Sequence, residues 1–186
     1  MLMSKSKKIL VIFIVVLLVA VVLLNIYFLG QSVPLDAVSL TLDDLNDEGY
    51  KEFDKDHITE PYIAPNYTFF AGWKILEKYH VRFSKNDSCF ILIDIGKLES
   101  EDKCKEFLSI IKNTTSYGYD FTQIESETIG EESYIGENKT TIYGSKVTLY
   151  FIVFRIENVI VAFLSSDLTK EVSISYVEII EHKLLF

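Results

Sequence analysis

Apolar positions follow one another without interruption near the start of this chain and then recur with periods of two and of three to four. From Ile9 to Leu29, twenty-one consecutive positions are uncharged and eighteen are Leu, Ile, Val or Phe. As a helix rising 1.5 Å per residue, such a run covers roughly 30 Å, the thickness of a bilayer's hydrocarbon core. In lipid the backbone must satisfy its own hydrogen bonds, so Val- and Ile-rich sequence still forms a helix there. Tyr27 and Phe28 stand at the far end, where aromatic rings favour the membrane–water interface. The sequence therefore predicts a transmembrane helix over 9–29, after a basic tail at 1–8 and before a short linker at 30–37 that contains Pro34.

Beyond the linker the pattern predicts one domain over 38–186. A first short strand is expected near Gly49 to Phe53, then a loop punctuated by Pro61 and Pro65. Trp73, Ile75, Tyr79, Val81 and Phe83 then alternate with mostly polar residues, as in a half-buried strand. Lys85-Asn86-Asp87-Ser88 is turn chemistry, and Cys89 to Ile95 reads as a nearly continuous apolar strand. Ser100 has the character of a helix N-cap, with Glu101 and Asp102 in the first turn. Cys104, Phe107, Leu108 and Ile111 recur at helical spacing, and that helix should end near Asn113 with Gly118 beyond it. A strand near Phe121 to Ile124 follows, and Ile129-Gly130 and Ile135-Gly136 are expected to flank a loop.

Thr140 to Tyr143 should pair with Lys146 to Ile156 across Gly144-Ser145, and Glu157-Asn158 should turn the chain into Val159 to Leu164. The last two strands are apolar on both alternations, so they belong at the centre of a sheet or under cover on both faces. A closing helix is expected from about Leu168 to Leu184, with Val172, Tyr176, Ile179, Ile180 and Leu184 inward. The fold class expected is α+β: an N-terminal transmembrane helix, then a mainly antiparallel sheet with about two packed helices.

Charge sets the orientation. Lys5, Lys7 and Lys8 precede the apolar run, and the first basic residue after it is Lys51. The positive-inside rule then places the N-terminus in the cytoplasm and the domain outside, in a single-pass protein of the cell membrane. A cleaved signal peptide fits less well. Its apolar region is shorter, and Phe28-Leu29-Gly30 lacks the small-x-small site. A pilin-like subunit shares the outline, but Lys7-Lys8-Ile9 stands where a Gly should precede the apolar run.

Composition narrows the partners. Thirteen Phe and eleven Tyr give the chain enough apolar surface for a packed core. The net charge is −9 over 186 residues, and it is more negative still without the three leading lysines. Such a surface repels phosphate backbones, so no nucleic-acid partner is expected. The partners expected are the bilayer, through residues 9–29, and a protein or a small molecule outside.

Candidate chemistry is sparse. Asn66, Asn86, Asn113 and Asn138 each open an N-x-[ST] sequon, all in expected loops or element ends, and would make the domain a glycoprotein in an organism that modifies asparagine. Cys89 and Cys104 are expected free, since a strand and a helical turn would separate them by more than the 7 Å or so that a disulfide spans. Asp44-Leu45-Asn46-Asp47-Glu48-Gly49 resembles the start of a calcium loop, but Lys55 stands where a bidentate Glu is wanted. His57, His80 and His182 lack metal-ligand spacing. Glu131, Glu132, Ser133 and Arg155 form one candidate polar site. Arg155 could pair with Glu131, Glu132 or Glu157, or hold an anion, while Ser133 has no histidine placed to activate it. No catalytic residue, metal site or cofactor is expected.

The second half resembles uncharacterised membrane-anchored extracellular-domain proteins, mostly archaeal. The residues that carry the resemblance are Ile129-Gly130-Glu131-Glu132-Ser133, then Phe154-Arg155-Ile156-Glu157-Asn158-Val159-Ile160-Val161, then Lys183-Leu184. Such proteins often have Gly where Glu157 stands. The resemblance implies a PsbP- or Mog1-like α/β sandwich and assigns no chemistry. The expected function is a membrane-anchored binding or accessory module of the cell envelope; the alternative is a structural surface subunit, and neither is an enzyme.

Overall fold

The computed structural model describes residues 33–45, 49–66, 68–114, 120–124 and 128–186. The apolar run at 9–29, the basic tail, most of the linker, Asn46 to Glu48 of the acidic turn and Gly118 lie outside the described residues. Among the described residues no helix is long and apolar enough to cross a membrane. The chain divides into two compact units, Met1–Pro34 and Leu35–Phe186.

The second unit is α+β, built on one antiparallel sheet. Its strands are β1 (Lys51–Ile58), β2 (Tyr62–Ile63), β3 (Lys74–Ser84), β4 (Phe90–Leu98), β5 (Thr122–Gln123), β6 (Glu132–Ile142), β7 (Ser145–Ile156) and β8 (Val159–Ser166). They run in the order β1-β3-β4-β8-β7-β6-β5, and β2 extends the edge beside β3. The helices are α1 (Leu35–Val38), α2 (Glu101–Asn113) and α3 (Lys170–Leu185).

Both sheet faces are covered, as the doubly apolar β7 and β8 require. One core packs Ile152, Phe154, Val161 and Phe163 under Tyr176, Val177 and Ile180 of α3 and Leu35 and Val38 of α1. The opposite core packs Phe151, Val153, Ile160 and Ala162 under Cys104, Phe107, Leu108 and Ile111 of α2. Ser100 caps α2 by accepting from the Lys103 amide at 3.3 Å, and Thr169 caps α3 through the Val172 amide at 3.3 Å.

Several expectations shift. The first strand runs 51–58, later than Gly49 to Phe53, because Gly49 holds a left-handed φ of 80° and cannot continue a strand. This strand is an exposed edge, so its charged sequence carries no apolar alternation to mark it. The loop expected between Ile129-Gly130 and Ile135-Gly136 is instead largely the start of β6, which begins at Glu132 and pairs along nearly the whole of β7. Its polar outer half is partly exposed near the other edge, which hides the strand period. The β6–β7 turn centres on Tyr143-Gly144, not Gly144-Ser145. Both residues there have positive φ, 48° and 84°, as a type I′ turn demands. The closing helix begins at Lys170, two residues after Leu168.

Candidate functional site

Small side chains make a hollow on the face that α2 partly covers. Cross-strand pairing places Leu92 opposite Leu164 and Leu164 opposite Phe151. In the next row Asp94 faces Ala162, and in the row beyond Gly96 faces Ile160. Leu92, Asp94, Phe151, Ala162 and Leu164 form the floor of a pocket of about 350 Å³, lined also by Asn66, Thr68, Phe69, Ala71 and Phe121.

Each wall rests on a glycine. A Cβ on Gly96 would stand 2.5 Å from the Phe70 ring, so the ring lies directly on the bare strand. That contact seats the loop carrying Asn66, Thr68 and Phe69. The loop is closed at its base by Ala64 N–H to Trp73 O at 2.8 Å and Gly72 N–H to Ala64 O at 2.9 Å. On the other side, a Cβ on Gly136 would meet Phe121 Cβ at 2.9 Å. Edge-on and tilted aromatic contacts hold the two walls together: Phe69 lies 5.8 Å from Phe151, and Phe121 lies 5.3 Å from Phe151. Offset and edge-on pairs of this kind add about 0.5–1.5 kcal/mol each beyond burial.

Asp94 brings charge to the floor while only 7% exposed. Its Oδ1 lies 3.1 Å from Lys78 Nζ and 3.1 Å from His80 Nδ1. His80 sits directly across the β3–β4 ladder, so the strand register delivers this contact. His80 Nε2 reaches Asp54 on β1 at 4.0 Å. Burial lifts the Tyr62 hydroxyl above its ordinary pKa, and the charges of Asp56 and Asp94 lift it further. A buried ion pair offsets the desolvation of each partner only when its geometry is good, and here both donors converge on one carboxylate oxygen.

No local motif marks this cluster in the sequence. Asp94 is the lone carboxylate in the mostly apolar strand β4, which is the signal that could have found it. Lys78 and His80 lie on the polar alternation of β3 and become its partners only through pairing between strands.

The Glu131–Glu132–Ser133–Arg155 group does come together, as an ion network. Arg155, with its side chain 8% exposed, binds Glu131 through Nη1 and Glu132 through Nε at 3.4 Å, and also lies 3.6 Å from Glu101 on α2. Lys112 meets Glu132 at 2.6 Å. That hydrogen bond, aided by Arg155, holds the Glu132 carboxyl below its ordinary pKa against the effect of burial. The Ser133 hydroxyl accepts from the Ile129 amide at 3.2 Å, a structural role. The guanidinium is thus committed to carboxylates and ties α2 to β6 and β7.

The sequons diverge. Asn66, Asn86 and Asn113 are exposed. Asn138 is not in a loop: it lies inside β6, its Nδ2 donates to Asp120 O at 2.7 Å, and its Oδ1 is buried without a partner among the described residues. Asn86 Oδ1 accepts from the Ser88 and Cys89 amides, a local turn. Cys89 and Cys104 are buried and free. They belong to the cores on opposite faces of the sheet. Burial pushes the Cys104 thiol up to about 12. Among the described residues no group of three or more His, Cys, Asp or Glu could hold a metal ion.

No protein-family model matches this chain, and no curated protein matches it. Among solved structures, it is similar to the extracellular domain of PknH from Mycobacterium tuberculosis, with a TM-score of 0.60 and 10% identity. The match covers 83% of this chain and 98% of that one. At that identity the likeness concerns the fold.

Proposed function

We propose that this chain is a membrane-anchored binding module of the cell envelope, not an enzyme, and that its domain stands outside the cell and takes a small, mainly apolar ligand in the pocket beneath the 64–73 loop. The observation that carries this reading is the pocket itself. Its volume of about 350 Å³ falls in the range of small-molecule sites. Its lining is mostly apolar, with three phenylalanines and one charged side chain, the usual make-up of such sites. Support for the location is separate: three lysines precede the apolar run, and an extracellular domain of another protein has a similar fold.

The test is ligand-dependent stability of the full chain in lipid nanodiscs. A ligand that binds only the folded state raises the unfolding midpoint. Small aromatic and aliphatic compounds are expected to raise it. Leu164→Trp, which places an indole in the hollow, is expected to keep the fold and abolish the rise. A panel that never shifts the midpoint, or shifts it equally in Leu164→Trp, would overturn the reading.

A further inference from the structure

Resting on that pocket reading, we infer that the ligand is a cation: a small protonated amine with an apolar or aromatic body, its ammonium directed at Asp94. Asp94 is the one side chain among the lining residues that carries a formal charge, and that charge is negative. Lys78 and His80 both contact Oδ1, from the β3 side, and neither lines the pocket. Oδ2 takes no part in those contacts. An ionised carboxylate offers about four lone-pair sites, so it can accept from a ligand while keeping both protein donors.

The surroundings favour the same sign. Phe69, Phe121 and Phe151 present π-systems, whose faces attract cations. Among the described residues no lysine or arginine lines the hollow to hold an anion. The chain's net charge of −9 concentrates cations near it and repels anions. Phe69, Phe121 and Ala162 among the lining residues suit an aromatic or aliphatic body.

Three probes of one shape separate the outcomes: phenylbutylamine, phenylbutanol and phenylbutyrate, a cation, a neutral molecule and an anion at neutral pH. Each is measured by equilibrium dialysis against the full chain in nanodiscs, with empty discs subtracted. The amine is expected to bind about tenfold or more tightly than the alcohol, the difference that a charge-assisted hydrogen bond makes. The acid is expected to bind most weakly. Asp94→Asn should bring the amine down to the level of the alcohol. Where that variant fails to fold because Lys78 loses its partner, the three probes on the natural chain still decide. An alcohol that binds as tightly as the amine, or an acid that binds more tightly, overturns the cation inference and leaves the pocket reading standing. Binding of none of the three, or binding undiminished by Leu164→Trp, sinks the pocket reading itself.

Discussion

At the scale of the residue, backbone conformation decides more than side-chain chemistry. Glu157 holds a φ of 51° at the first position of the two-residue turn between β7 and β8. A turn with positive φ at that position alone favours glycine. A non-glycine residue in this conformation costs about 1–2 kcal/mol, part of which glycine's greater unfolded-state entropy cancels. Glu157 is exposed, so little packing is lost with it. Glu157→Gly is therefore expected to stabilise the domain by about 0.5–1 kcal/mol, read as a higher urea midpoint; an unchanged or lower midpoint would show that the turn carries no strain. Gly130 is the converse case. It has a φ of 64°, and a Cβ there would stand 2.5 Å from the Arg155 carbonyl oxygen. The ion network around Arg155 is built against that bare backbone.

Elements are joined by a few charged clasps whose strength depends on pH. Asp44, in the turn at Asp43–Leu45, accepts from the Thr41 amide at 2.7 Å and from Lys183 Nζ of α3 at 2.7 Å. Burial works against its ionisation. The bonds from Lys183 and Thr41 outweigh that, and the folded pKa lies below the ordinary 3.8. A carboxyl lowered on folding contributes stability that is fully present above its unfolded value and is lost as pH falls through the folded one. The clasp should therefore hold at neutral pH and weaken below about pH 4. Asp44→Asn is expected to cost about 1–2 kcal/mol at neutral pH and less at about pH 3. Urea unfolding of both proteins at the two pH values measures this, and an equal cost at both would contradict it. The edge strand β1 shows the other use of charge. Its exposed lysines and carboxylates, and a register shift between Glu52 and Asp54, blunt an edge that could otherwise pair with another chain.

For the molecule as a whole, the two cysteines show how layers set distance. The expectation of free thiols rested on separation along a strand and a helix. In the structure Cys89 lies in the core under α3 and Cys104 in the core under α2, with the sheet between those cores. The proposed topology makes its own prediction. Protease added to intact cells should digest the domain at 35–186, and an immunoblot should retain only a short fragment containing the apolar run. A domain left whole until the cells are lysed would exclude an anchor that carries it outside.

Local pattern sufficed wherever one element's neighbours decide its shape. Helix α2, with its Ser100 cap and its Cys104–Phe107–Leu108–Ile111 face, was legible because capping and helical period act within a few residues. The place of β7 and β8 deep in the sheet was legible because both their alternations are apolar. The pairing of Arg155 with Glu131 and Glu132 was foreseen as one of several choices, and tertiary packing added Glu101 and Lys112. The pocket could not be read this way. It depends on what small residues lack, since Gly96 and Gly136 let Phe70 and Phe121 lie directly on the strands, while Ala162 lines the hollow. Its charge depends on register, since Lys78 and His80 meet Asp94 only when β3 lies beside β4. Contacts between strands are fixed by pairing over long separations, and a single chain read in order carries no direct trace of them.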